Sequence, residues 1–256
     1  HQTISDRQAK QIAERTEGWI TGLLLSAETM WKGLAGETRI PQVSGVDLYD
    51  YLAQQVLDQQ SPTMRTFLLR SSLMEEFNAP LCEQVLGDPP QGETWVSMIN
   101  KVMQYNLFVQ PFESEGMWLR YNHLFRDFLQ ERLTIERPEE KERLLRKMVE
   151  VYTGREEWEN AYLVCQELED DHPTAELIET AGIPLQEKGQ FRTLAKWIDR
   201  LPEHVLESHP AIQSRRGALA LVLGDTKVGL SYLEKTEKPL KTVGELKNLV
   251  QNYIWQ

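Results

Sequence analysis

The sequence has little cysteine, no long apolar run and no excess of positive charge. Only Cys82 and Cys165 occur, far apart and without metal-ligand spacing. That excludes a disulfide framework and points to a reducing compartment, so a cytoplasmic location is expected. The histidines, His1, His123, His172, His204 and His209, form no HExxH or CxxC-type cluster, so no metal site is assigned. No apolar stretch approaches the roughly 18 residues that a membrane span requires. The formal net charge is -11, which opposes general binding to nucleic acid or anionic membrane, since both need a positive field. There is no G-x-x-x-x-G-K-[ST] loop, so these residues cannot cradle a triphosphate by themselves. No nucleophile, partner base or metal motif stands together, and no catalytic residue is assigned.

What remains is an ordinary globular composition over 256 residues, with 26% charged and 41% hydrophobic. The chain opens HQTISDRQAK and stops at LVQNYIWQ. Neither end carries a leader or a natural stop, and the expectation is a stretch of a longer protein.

The periodicity divides the chain into three. Residues 1–46 read as helices, with Gly18 and Gly22 four apart for close backbone approach. A second unit, 47–136, starts with DLYDYLAQQVLD. Ser61-Pro62 is a cap followed by a first-turn proline, opening a helix with Met64, Phe67, Leu68 and Leu73. Asn78 caps a short helix ending by Gly87. Trp95, Met98, Ile99, Val102 and Met103 follow helical spacing. The period then changes: LFVQPF and MWLRYN read as two short strands around ESEG. Helices followed by a small β-hairpin predict a winged-helix domain.

Residues 137–256 read as a helical arm. Leu144, Leu145, Met148, Val149 and Tyr152 form an apolar stripe, and a degenerate repeat aligns on Gly154, Gly189 and Gly224. The spacing is close to the roughly 34-residue period of TPR-like helix–turn–helix arrays. Trp158, Tyr162, Trp197 and Leu201 are expected in the core between repeats. The fold class is therefore mainly α: a helical segment, a winged-helix domain and a TPR-like arm.

The winged helix is poorly charged for reading DNA. Its third helix has one basic residue, Lys101, and its wing tip is Glu113-Ser114-Glu115. Phosphate contacts need lysine or arginine, so the expectation is a packing module rather than a DNA reader.

Thr16-Glu17-Gly18-Trp19, followed by Gly22-Leu23, resembles the TEGW-x-x-GL signature of the large ATP-dependent LuxR-type regulators of the MalT-like class, a branch of the STAND signalling ATPases. DLYDYLAQQVLDQQSPTMRTFLLRSSLMEEFNAPLCEQVLG and INKVMQYNLFVQPFESEGMWLRYNHLFRDFLQERL resemble the blocks that follow. The resemblance implies that residues 1–46 are the last helices of an ATPase module, followed by the winged helix and the start of the arm. It implies ATP or ADP as the cofactor of the full-length protein, none being held by this stretch. The implied partners are the ATPase module, a sensor domain and further copies of the protein, with transcription regulation as the output.

In this class the winged helix commonly offers a histidine to the ADP β-phosphate, from a Tyr-His-x-Leu-Phe pattern. Here the pattern reads Tyr121-Asn122-His123-Leu124-Phe125. Asn122 stands at the family's histidine position, and His123 is one residue on, about 100° round a helix. The resemblance implies Asn122 and His123 as the nucleotide-contact candidates. Asn122 is also a preferred helix N-cap, a role that explains it by itself. Thr16, Glu17, Gly18, Trp19 and Gly22 are read as a structural signature. The competing reading is a TPR-like interaction scaffold without a nucleotide switch.

Overall fold

A computed structural model describes residues 53–54, 56–105, 108–111 and 117–243. The signature residues Thr16, Glu17, Gly18, Trp19 and Gly22, the predicted helices of 1–46 and the wing tip 113–115 lie outside the described residues. The chain divides into two compact units, His1–Lys141 and Glu142–Gln256.

In the first unit, α1 spans Pro62–Ser71, α2 Ala79–Leu86 and α3 Trp95–Gln104. Strands β1, Val109–Pro111, and β2, Leu119–Tyr121, precede α4, His123–Glu136. The local chemistry sets these boundaries. The Ser61 side chain accepts from the Met64 N–H, and Pro62 occupies the first turn. The Asn78 side chain accepts from the Leu81 N–H, and Gly87 stops α2 with φ of 82°. Thr94 and Ser97 form a reciprocal capping box that starts α3.

The strands pair antiparallel, with Val109 opposite Tyr121, Gln110 opposite Arg120 and Pro111 opposite Leu119. They are shorter than the six-residue runs the alternation predicts. A third segment adds to β2: Phe77 and Leu119 exchange both backbone hydrogen bonds at 2.9 Å. Leu73 lies just past the end of α1, in the buried turn toward Phe77.

An aromatic cluster fills the centre. Phe67 stacks on Trp95 at 5.5 Å and meets Phe77 edge-on at 6.1 Å. Phe77 stacks on Tyr121 at 5.0 Å, and Phe108 on Phe125 at 4.3 Å. Such pairs add about 0.5–1.5 kcal/mol each beyond their burial. Of the periodic residues of α3, Trp95, Met98, Ile99 and Val102 are buried, while Met103 is partly exposed.

Helix α5, Pro138–Gly154, carries the chain into the second unit. There α6 is Trp158–Cys165, α7 His172–Glu187, α8 Phe191–Ile198, α9 Glu203–Ser208, α10 Pro210–Val222 and α11 Thr226–Val243. Tight turns join α5 to α6, α7 to α8 and α10 to α11. The longer middle connection, RLPEHVLESHPA, holds the short α9.

Each pair turns through the same closure. Glu157, Gln190 and Asp225 donate N–H bonds to the carbonyls of Tyr152, Leu185 and Ala220, at 2.9, 2.8 and 2.8 Å. The residues before them, Glu156, Gly189 and Gly224, have φ of 57°, 72° and 98°. This is the Schellman arrangement. Its left-handed residue in the first pair is Glu156, two positions after the Gly154 on which the sequences align. The intervals are therefore 33 and 35 residues rather than two of 35.

Trp158, Tyr162, Trp197 and Leu201 are all buried. Tyr162 lies flat on Trp197, with centroids 4.3 Å apart and an interplanar angle of 6°. At the α10/α11 crossing, a Cβ on Gly217 would meet the Gly229 carbonyl oxygen at 2.9 Å. Only glycine admits that backbone approach.

Candidate functional site

The junction YNHLFRDFL joins the wing to α4, and it is held from several sides. Tyr121, the last residue of β2, is buried, and its hydroxyl lies 2.8 Å from the Ser71 hydroxyl of α1. Burial pushes the phenol well above its ordinary range, although the Ser71 bond opposes the shift. Tyr121 is therefore neutral and able to donate.

Asn122 is 5% exposed. Its N–H donates to the Phe108 carbonyl at 2.7 Å, and its side-chain oxygen accepts from the Leu124 N–H at 3.1 Å. Its own carbonyl accepts from Arg126 N–H at 2.9 Å. Asn122 is the N-cap of α4, which runs to Glu136. Phe108, the residue that receives Asn122, holds φ of 58°, a costly left-handed value for a bulky side chain. Burial and the stack on Phe125 hold it there.

Arg126, one turn into α4, reaches back to α1. Its Nε donates to the Ser72 carbonyl at 3.0 Å and its Nη2 to the Leu73 carbonyl at 3.3 Å. Gln130 Nε2 donates to the same Ser72 carbonyl at 2.8 Å. Charged donors on helix-terminal carbonyls are strong bonds, about 1.5–3 kcal/mol each. Arg126 and Gln130 belong to no motif that marks them as site residues. Their i, i+4 spacing on α4 was the available signal, but the partners are backbone carbonyls, which leave no mark in a sequence.

His123 is exposed, at the first position of α4. The first turn of α4 contains no acidic residue, and exposed Arg120 precedes it on β2. A helix N-terminus preceded by an arginine suits an anionic oxygen. The structure thus places Asn122 and His123 side by side but in different environments: the first is engaged inside the cap, the second faces outward.

The remaining surfaces of this unit carry different chemistry. A groove of about 630 Å³ lies between Val56, Ser61, Met64, Pro90, Met98 and Tyr105 and includes neither Asn122 nor His123. Lys101 of α3 pairs with Glu93, and those two hydrogen-bond directly. The lysine that a DNA-reading helix would direct at phosphate is thereby neutralised. Among the described residues, no group of three His, Cys, Asp or Glu side chains could hold a metal ion. None of the described helices is long and apolar enough to cross a membrane.

Comparison with known proteins agrees with this architecture. The family model of the MalT winged helix domain matches residues 53–142. The HTH-type transcriptional regulator MalT of Vibrio campbellii is 26% identical over 221 residues, covering 85% of this chain and 24% of that protein. MalT of Klebsiella pneumoniae is 30% identical over 144 residues, 53% of this chain and 16% of that protein. The serine/threonine-protein kinase PknK of Mycobacterium tuberculosis is 28% identical over 207 residues, 77% and 18% of the two chains. The chain spans about a quarter of the length of the Vibrio MalT relatives it matches. Residues 53–142 form a winged-helix domain of the MalT type, in a chain similar to MalT transcriptional regulators over most of its length.

Proposed function

We propose that this chain is the signal-transducing middle region of an ATP-dependent transcriptional regulator. The winged helix closes on an ATPase module that includes residues 1–46 and the sequence before them. The arm, beginning near residue 137, links that closure to a sensor domain and to self-association. The protein works in the cytoplasm, and this stretch alone neither hydrolyses ATP nor binds DNA. The cofactor of the full-length protein is ATP or ADP.

The observation that carries this reading is the β2–α4 junction. His123 is exposed at the acid-free N-terminal turn of α4, while Asn122 is committed to the cap. A phosphate oxygen approaching this turn meets His123 before Asn122. The contact would then move one residue along from the family position, and Asn122 would support it by fixing the turn.

The test is ADP titration of a longer chain that includes the ATPase module. His123→Ala is expected to weaken ADP binding about tenfold, the loss of one bond to a charged group. Asn122→Ser, which retains a cap, is expected to leave it within about twofold. Unchanged affinity in His123→Ala would refute the contact. The competing reading, a TPR-like scaffold without nucleotide switching, draws on the arm's stacked helix pairs, which build concave binding surfaces in such arrays. It would gain if the longer chain bound no ADP at all.

A further inference from the structure

Arg215 sits on α10, where it is only 7% exposed. Its Nε and Nη1 have no hydrogen-bond partner. A buried cation with open donors is costly unless an anion compensates it. Its sequence neighbour Arg216 has one, Asp199 at 3.1 Å.

The guanidinium lies against α7 at Gly182. A Cβ built there would fall 1.8 Å from Nη1 and 2.3 Å from Cζ. The arginine of one helix thus fills the place of a side chain at position 182 on the other. Glu179 is three residues earlier, on the same face of α7. Side chains at i and i+3 start about 5–6 Å apart, so Glu179 lies on the stretch of α7 that the guanidinium covers, near it but not bonded to it. Its negative charge already acts on Arg215, against the desolvation that lowers the arginine's pKa.

Yet the Glu179 carboxylate is bonded elsewhere. Its Oε1 lies 2.9 Å from His209 Nδ1, at the N-terminus of α10. The Glu179 side chain is 37% exposed. One carboxylate therefore faces two cationic or donor groups on the same helix, and in this structure it is bonded to His209 and not to Arg215.

We propose that Glu179 exchanges between His209 and Arg215 and so forms a two-position latch on the seam between α7 and α10. In one position it holds the start of α10 through His209. In the other it satisfies Arg215, deeper in the seam. The exchange lets successive helix pairs of the arm shift against each other while a carboxylate remains engaged. This inference concerns the arm alone and holds whether or not the winged helix contacts nucleotide.

The test is amide hydrogen exchange of α10 in the 256-residue chain, in a cycle of Glu179→Gln and Arg215→Met. Glu179→Gln is expected to speed exchange about tenfold, because Arg215 loses its compensating charge. Arg215→Met removes the buried cation and is expected to leave exchange unchanged or slower. In the Arg215→Met background, Glu179→Gln should speed exchange by less than about twofold. Equal factors in both backgrounds would overturn the latch, since Glu179 would then serve His209 alone. No effect of Glu179→Gln in either background would overturn it too. A second measurement follows the Arg215 Nε–H signal by NMR in His209→Ala. Removal of the rival partner should slow its exchange with water severalfold, and an unchanged rate counts against the proposal.

Discussion

Replacing Ser71 with alanine should cost the winged-helix unit more than replacing Tyr121 with phenylalanine, although both remove the same hydrogen bond. The Ser71 hydroxyl lies 2.7 Å from the Phe67 carbonyl, which can only accept, so the serine proton goes there. The Tyr121 hydroxyl, 2.8 Å from Ser71, must then donate to the serine oxygen. Tyr121→Phe removes a donor and leaves Ser71 with its bond to Phe67. The expected cost is that of one neutral hydrogen bond, about 0.5–1.5 kcal/mol. Ser71→Ala instead leaves the buried phenol with no acceptor, so the desolvation penalty of about 1–3 kcal/mol is added. The double variant should cost less than the sum, because no phenol remains to be stranded. The assay is hydrogen exchange at the Phe77 and Leu119 amides, which bond to each other beside Tyr121. It reads local stability without treating the chain as one two-state unit. If Ser71→Ala costs no more than Tyr121→Phe, the assigned proton direction is wrong.

Two further predictions rest on single observations. Partial burial raises the Glu140 carboxyl, but bonds to Arg70 and Arg137 outweigh it and hold its pKa below the ordinary 4.5. A depressed carboxylate stabilises the fold above its unfolded pKa, and that contribution is lost as pH falls through the folded value. Glu140→Gln should therefore flatten the loss of thermal stability below about pH 4.5, and an unaltered pH profile would contradict the shift. Among the repeat glycines, Gly189→Ala should destabilise the arm by about 1–2 kcal/mol, because φ is 72° there. Gly154→Ala, with open space around it, should be neutral or stabilising by up to about 1 kcal/mol. Thermal melting of the two variants separates the cases.

Much of the fold was legible because its punctuation is local. Ser61, Asn78 and Asn122 each cap a helix as their residue type and position suggest. The stripe from Trp95 to Val102 is buried because helical spacing directs it inward. The Tyr162–Trp197 stack was readable as apolar faces, though its flat geometry was not. What escaped has non-local or backbone causes. The Phe77–Leu119 pairing joins residues far apart in the chain through groups that every residue carries. Glu156 takes a left-handed turn that its side chain disfavours, so aligning glycines misplaced the first closure. At the candidate site, the sequence showed two adjacent polar residues. Only burial separates the engaged Asn122 from the outward His123.

Strand β2 is three residues long, yet it is fastened along its whole length. Leu119 is bonded to the α1–α2 turn, Arg120 and its neighbours pair with β1, Tyr121 meets α1, and the chain passes directly into α4. A push on the first residue of α4 has no slack segment in which to dissipate. It behaves as a load on a braced joint, with the struts running to every helix-bearing corner it touches. A small displacement at His123 would therefore be expressed as tilt of the whole winged helix rather than as local bending.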